Sequence, residues 1–68
     1  MFNIGDKLKT YRKRKSMSQQ EFAQLLGISQ NYLSEIESGK HIPSLKTISQ
    51  IAEKIHTTVP KLLGEKTA

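Results

Sequence analysis

Residues 19–38 of the chain read QQEFAQLLGISQNYLSEIES, and their pattern is the most informative in the sequence. Apolar side chains recur at helical spacing on both sides of Gly27, which stands where a left-handed residue would end the first helix. Two short helices joined by a tight turn that contains glycine are typical of a helix-turn-helix. The residues expected to set the angle between the two helices are Phe22, Ala23, Leu26, Gly27, Ile28, Leu33 and Ile36.

Capping residues define where both helices begin. Ser18 is followed three positions later by Glu21, so that each side chain can bond the other residue's backbone N–H in a capping box. Ser29 provides a second N-cap immediately after the turn. The predicted helices therefore run from Gln19 to Leu26 and from Gln30 to Ser38.

The flanking segments are also helical in pattern, and none alternates like a strand. Serine caps, glycines and prolines separate them. The sequence therefore predicts an all-α, compact bundle of about five short helices in a single domain over residues 1–68, with its core at about residues 4–63. The additional elements are a first helix from Ile4 to Lys15, a fourth from the Ser44 cap to His56, and a final turn from Thr57 to Gly64.

Length and composition exclude several classes of protein. A chain of 68 residues can bury one small core and has no room for a second, catalytic domain. The absence of cysteine excludes disulfides, cysteine zinc sites and a thiol nucleophile. His41 and His56 lack the clustered carboxylates of a metal site, so we expect neither metal nor cofactor. Gly39-Lys40 is not a phosphate loop, because Ser34 stands where the upstream glycine is required.

The charge distribution indicates an anionic partner. Eleven Lys and Arg against six Asp and Glu give a net charge of +5, and the excess is concentrated in residues 1–15. Nucleic acid and a membrane surface are the two candidates. The membrane is disfavoured because Ile4, Leu8 and Tyr11, the apolar face of the basic helix, are needed for the core. No apolar run approaches the ~18 residues of a membrane span, and we expect a cytoplasmic protein.

Several motifs occur together along the chain in a specific combination. They are Leu8-x3-Arg12, Met17-Ser18-Gln19-x2-Phe22-Ala23, Gly27-Ile28-Ser29, Leu33-x2-Ile36-Glu37-x-Gly39-Lys40 and Pro43-Ser44-Leu45. On these motifs the chain resembles, from Ile4 to Leu63, the Cro/C1-type (XRE-type) helix-turn-helix family of phage repressors and bacterial regulators. The resemblance implies a lambda-repressor-like fold and sequence-specific binding of double-stranded DNA by a transcriptional regulator, with repression favoured. Ser16 departs from the glycine usual in the family, so we expect a small backbone strain there.

The resemblance and the outward positions of the second motif helix together suggest DNA contacts. A major groove admits one helix, and amides, hydroxyls and carboxylates can each bond base edges. The expected base-reading residues are Gln30, Asn31, Ser34 and Glu35. The expected contacts to the DNA backbone are Gln19, Ser29, Tyr32, Lys40, Ser44 and Lys46. In this family the arginine of the first helix and the glutamate of the third commonly pair within the fold, which assigns Arg12 and Glu37 a structural role.

Assembly and partners are less closely defined by the sequence. One small domain presents little surface to DNA, so we expect a homodimer on a palindromic operator, with half-sites about 34 Å apart. Candidate dimer contacts are Ile42, Pro43, Val59, Leu62 and Leu63. A protein-interaction role, with a toxin or another regulatory protein as partner, is the alternative from a different class. Phage repressor, antitoxin and restriction controller all remain open at this point.

Overall fold

The structure, a computed structural model, describes residues 4–57. These residues form four helices and no strand, which confirms the predicted all-α class. The predicted final turn lies outside the described residues except for Thr57. The helices are α1 (Ile4–Arg14), α2 (Gln19–Leu26), α3 (Gln30–Ser38) and α4 (Leu45–Lys54).

The caps explain why α2 and α3 have the predicted bounds. Ser18 Oγ accepts the Glu21 N–H at 3.0 Å, and Glu21 Oε1 accepts the Ser18 N–H at 2.9 Å, which completes the capping box. Ser29 Oγ accepts the Tyr32 N–H at 3.0 Å at the start of α3. Gly27 has a φ of 75°, as expected for a residue that reverses the chain between the two helices.

The other two helices end earlier than predicted, α1 by one residue and α4 by two. In both, a residue with a side chain takes the left-handed conformation just past the helix: Ser16 with a φ of 56° and His56 with a φ of 57°. The next N–H then reaches back into the last turn, from Thr57 to the Ala52 carbonyl at 2.8 Å in α4. This is a Schellman motif, and it ends a helix whether or not glycine is present.

The core lies where the four helices meet. Leu8, Phe22 and Leu33 are completely buried, and the ring of Tyr11 stacks on Phe22 with centroids 5.7 Å apart. Ile28, predicted among the residues that set the helix angle, is only half-buried at the edge of this cluster. The hydrophobic core within residues 4–57 consists of Ile4, Leu8, Phe22, Ala23, Leu26, Leu33, Ile36, Ile48, Ile51, Ala52 and Ile55.

Gly5 permits a close approach between α1 and α3 that the sequence pattern did not indicate. A Cβ placed on Gly5 would overlap the carbonyl oxygen of Ile36 and would lie 3.2 Å from the Cα of Glu37. Only a residue without a side chain allows the two backbones to come this close. The contact positions the C-terminal half of α3, and with it the outer face of the helix, relative to α1.

Candidate nucleic-acid interface

The outer face of α3 carries a stripe of polar side chains. Gln30, Asn31 and Glu35 are exposed and Ser34 is half-buried, whereas Leu33 and Ile36 on the opposite face are buried. Within residues 4–57 the side chains of Gln30, Asn31 and Ser34 have no hydrogen-bond partner. The stripe therefore offers hydrogen-bond donors and acceptors to a ligand, while the opposite face of the helix is packed in the core.

Arg12 and Glu37 form the ion pair that was expected between α1 and α3. Arg12 Nε lies 2.8 Å from Glu37 Oε2, and Arg12 Nη2 lies 3.0 Å from Glu37 Oε1, in the two-pronged geometry that suits a guanidinium and a carboxylate. The two side chains are only 12% and 3% exposed. Arg12 Nη1 also donates to the Met17 carbonyl at 3.0 Å, so the pair fixes the loop that leads into α2.

Gln19, the expected backbone contact at the start of α2, is tied to the same carboxylate. Its Nε2 donates to Glu37 Oε1 at 3.1 Å. Sequence reasoning missed this bond, because the family resemblance paired Glu37 with Arg12 alone. The first turn of α2 also has backbone N–H groups without a partner inside the helix and carries the positive end of the helix dipole, as at any helix start.

The loop after α3 is held against that helix. The ring of His41 meets the ring of Tyr32 edge-on, with centroids 4.9 Å apart, and the His41 N–H donates to the Glu35 carbonyl at 3.1 Å. Lys40, in the same loop, is exposed. Lys40 therefore extends from a loop that is anchored to α3, and its contact with the DNA backbone stays a prediction.

The remaining residues expected to contact the DNA backbone differ in how many of their hydrogen-bonding groups are free. Ser29 accepts a backbone N–H, which leaves its own hydroxyl proton unused. The Ser44 hydroxyl accepts the Thr47 N–H at 3.2 Å and donates to Thr47 Oγ1 at 3.1 Å, so it serves mainly as a cap. Lys46 is exposed on the first turn of α4, and Tyr32 is half-buried.

The basic end of α1 adds positive potential. Lys13, Arg14 and Lys15 are exposed on or just past its last turn, where cations are favoured by the helix dipole. Lys15 Nζ lies 5.7 Å from the centroid of the Tyr11 ring. No helix in residues 4–57 is long and apolar enough to cross a membrane.

Comparison with known proteins places this geometry in a family. A helix-turn-helix family model matches residues 8–62. The chain belongs to the Cro/C1-type helix-turn-helix family. The members of this family are DNA-binding transcription regulators and not enzymes.

Two relatives from Bacillus phage phi105 illustrate the similarity. The ImmF control region 10 kDa protein is 49% identical over 49 residues, which cover 72% of this chain and 54% of that protein. The phage's immunity repressor protein is 31% identical over 64 residues, which cover 94% of this chain and 44% of that protein. The chain thus spans about half the length of these curated relatives.

A solved family member resembles the chain in three dimensions as well. SinR, described as the master regulator for biofilm formation and crystallised in complex with DNA, superimposes with a TM-score of 0.76 at 34% identity. The match covers 88% of this chain and 97% of the SinR chain. The helix-turn-helix predicted from residues 19–38 therefore has the arrangement of a family member seen with DNA.

The expected dimer contacts fall into three groups in this family fold. Ile42 is 81% exposed in the loop before α4, whereas Pro43 beside it is buried within the chain and offers little surface to a second copy. Leu45, which sequence reasoning did not include, is 67% exposed on the first turn of α4. The other predicted contacts, Val59, Leu62 and Leu63, lie outside the described residues.

Proposed function

We propose that the chain binds double-stranded DNA sequence-specifically as a transcriptional regulator, with repression as its action, and that it inserts α3 into the major groove. The single observation that carries this proposal is the stripe of Gln30, Asn31, Ser34 and Glu35 on the exposed face of a helix whose other face is buried. The immunity repressor and the SinR–DNA complex among the relatives support it.

The chemistry of the stripe fits base edges. The carboxamide of Gln30 or Asn31 can donate to N7 and accept from the N6 amino group of adenine in a two-pronged contact. Ser34 suits either kind of base pair, because a hydroxyl both donates and accepts. Glu35 can only accept, so it fits the amino group of cytosine and opposes binding where that amino group is missing.

Backbone contacts would fix the register of α3 in the groove. Gln19 at the start of α2 and Lys40 in the loop after α3 lie at the two ends of the helix-turn-helix. Ser29, Tyr32, Ser44 and Lys46 complete the proposed set, with Ser44 acting through backbone N–H groups because its hydroxyl is already engaged. Cations of α1 add a sequence-independent attraction to phosphate.

We further propose a homodimer on a palindromic operator. A cluster of exposed apolar side chains often marks a surface that binds another protein. Ile42 and Leu45 form such a cluster, on either side of the buried Pro43 in one short segment. A two-fold pair of domains would place the two copies of α3 in successive major grooves, about 34 Å apart. We also propose that the protein acts in the cytoplasm. A toxin or another regulatory protein is proposed as a further partner.

Selection of binding sites from random duplex DNA tests the proposal directly. We expect recovery of an inverted repeat whose half-sites are separated by about one helical turn. Sedimentation of the chain with and without the selected duplex would then give the stoichiometry. Recovery of no common sequence would reject specific recognition, whereas a single half-site bound by one chain would reject only the dimer.

A further inference from the structure

One carboxylate joins the structural ion pair to the proposed DNA contact at the start of α2. Glu37 Oε1 accepts from Arg12 Nη2 at 3.0 Å and from Gln19 Nε2 at 3.1 Å. The Glu37 side chain is 3% exposed, so it cannot exchange these partners for water without unpacking. Gln19 is half-buried, at the boundary between this carboxylate and solvent.

The chemistry of the carboxylate determines which way the Gln19 carboxamide is turned. An ionised carboxylate only accepts hydrogen bonds, so the amide nitrogen must face it and the amide oxygen must not. One N–H of the carboxamide is consumed by Glu37, and its second N–H remains free to donate. A glutamine on an exposed helix start would otherwise sample several rotamers and both amide orientations.

The neighbouring charge is also balanced. Arg12 pairs with both oxygens of Glu37, so the group that holds Gln19 carries no uncompensated negative charge. A lone carboxylate at this point would repel a DNA phosphate approaching the start of α2. The ion pair therefore allows an acidic residue to lie behind a phosphate-binding side chain.

We propose that Glu37 is a positioning residue for DNA binding: it holds the Gln19 carboxamide, before DNA arrives, in the orientation that donates its free N–H to a backbone phosphate. This inference rests on the proposed function. Glu37 thus contributes to affinity through Gln19 and without touching DNA. Because Gln19 is already ordered in the free protein, DNA binding does not incur the entropy cost of ordering its side chain.

A double-mutant cycle on the full chain tests this role. Glu37→Asp keeps a negative charge for Arg12 but withdraws the carboxylate by one methylene group from Gln19. We expect it to weaken binding to a short labelled DNA duplex of random sequence by about threefold to tenfold. We expect Gln19→Ala alone to weaken binding by about tenfold, and in that background Glu37→Asp should have no further effect. Ile51→Val in α4 serves as the stability control, because the loss of one buried methyl group should lower the melting temperature without altering affinity.

A spectroscopic measurement needs no variant at all. In the NMR spectrum of the wild-type chain without DNA, we expect one side-chain Nε2 proton of Gln19 to be protected from exchange and the other to be free. Side-chain Nε2 protons that exchange as fast as those of the exposed Gln20 would overturn the proposal, even if the Glu37 variants fail to fold.

The outcomes separate this inference from the function on which it rests. If the affinity loss of the double variant equals the product of the losses of Glu37→Asp and Gln19→Ala, Glu37 acts on the fold alone. That result would overturn the positioning role but would leave DNA binding itself in place. A wild-type chain that binds neither the random duplex nor a selected one would overturn both. Protection of the Gln19 proton together with a non-additive cycle would support the positioning role.

Discussion

Gly5 of α1 lies directly against the main-chain carbonyl of Ile36 in α3, so two helices that are far apart in sequence touch backbone to backbone. The next residue of α3 is Glu37, whose carboxylate binds Arg12 two turns further along α1. A steric contact and an ion pair therefore fix the same two helices at separate points. The placement of the outer face of α3 depends on both.

We expect Gly5→Ala to destabilise the fold by about 2 kcal/mol, the usual cost of forcing extra volume into a packed contact. The added Cβ would overlap a backbone carbonyl, which cannot rotate away as a side chain can. Thermal or urea unfolding measures the loss. Thr10→Ala, on an exposed position of the same helix, is the matched control and should change stability by less than about 0.5 kcal/mol. Equal stability of Gly5→Ala and wild type would mean that α1 and α3 pack differently.

Ser16→Gly should stabilise the protein. Ser16 has a φ of 56°, a conformation that costs a residue with a Cβ about 1–2 kcal/mol. Glycine would relieve this strain, but its greater conformational freedom in the unfolded chain offsets part of the stabilisation. We expect a net gain of about 0.5–1 kcal/mol, seen as a rise in melting temperature of about 2–8 °C.

Ser49→Gly is the matched control for Ser16→Gly, and we expect it to lower the stability of the protein. Ser49 is exposed inside α4, where glycine weakens a helix, so this variant should melt at a lower temperature than the wild type. A Ser16→Gly protein that also melts lower would contradict the strain assigned to Ser16.

Lys40→Ala should weaken binding to every DNA sequence and flatten its salt dependence. Removal of one lysine–phosphate interaction reduces the slope of log affinity against log salt by about 0.9 per bound protomer. Lys54→Ala removes the same charge at the C-terminal end of α4, outside the proposed contacts, and should leave the slope nearly unchanged. Equal slopes for the Lys40→Ala and Lys54→Ala variants would remove Lys40 from the interface.

Gln30→Ala should lower affinity for the selected operator while binding to random DNA hardly changes. A two-pronged contact to adenine discriminates by about 1–3 kcal/mol, or roughly 5- to 150-fold in affinity. Gln50→Ala, on the exposed part of α4, removes the same side chain away from α3 and should bind both duplexes as the wild type does. Similar losses of the Gln30→Ala protein on both duplexes would assign Gln30 to the DNA backbone.

Local signals explain why the helix-turn-helix itself was predicted correctly. The ends of α2 and α3 depend on hydrogen bonds between residues three positions apart, such as those of Ser18 and Ser29, and these partners are visible in a short stretch of sequence. The end of α4 was predicted too late because its signal is weaker. His56 is not a residue type that by itself indicates a left-handed turn, so the helical period was followed past it.

Long-range contacts were harder to anticipate. Gly5 carries no side chain, and its significance depends on Ile36, which only the folded chain brings near. The bond between Gln19 and Glu37 joins residues 18 positions apart through a side-chain amide, for which no spacing rule exists. The Arg12–Glu37 pair, separated by 25 positions, was anticipated only because the chain resembles a family in which the pair is common. The base-reading and dimer assignments stay predictions.

The side chains of Gln30, Asn31 and Ser34 form no hydrogen bonds within residues 4–57, so in the proposed binding mode the residues that read DNA are distinct from those that hold the fold together. We expect changes at these positions to leave the core and the ion pair intact, so that in this binding mode a single substitution can alter the operator preference without a compensating change elsewhere. A fold built in this way would allow specificity to diverge rapidly, because the outer face of α3 can change while the rest of the structure is kept.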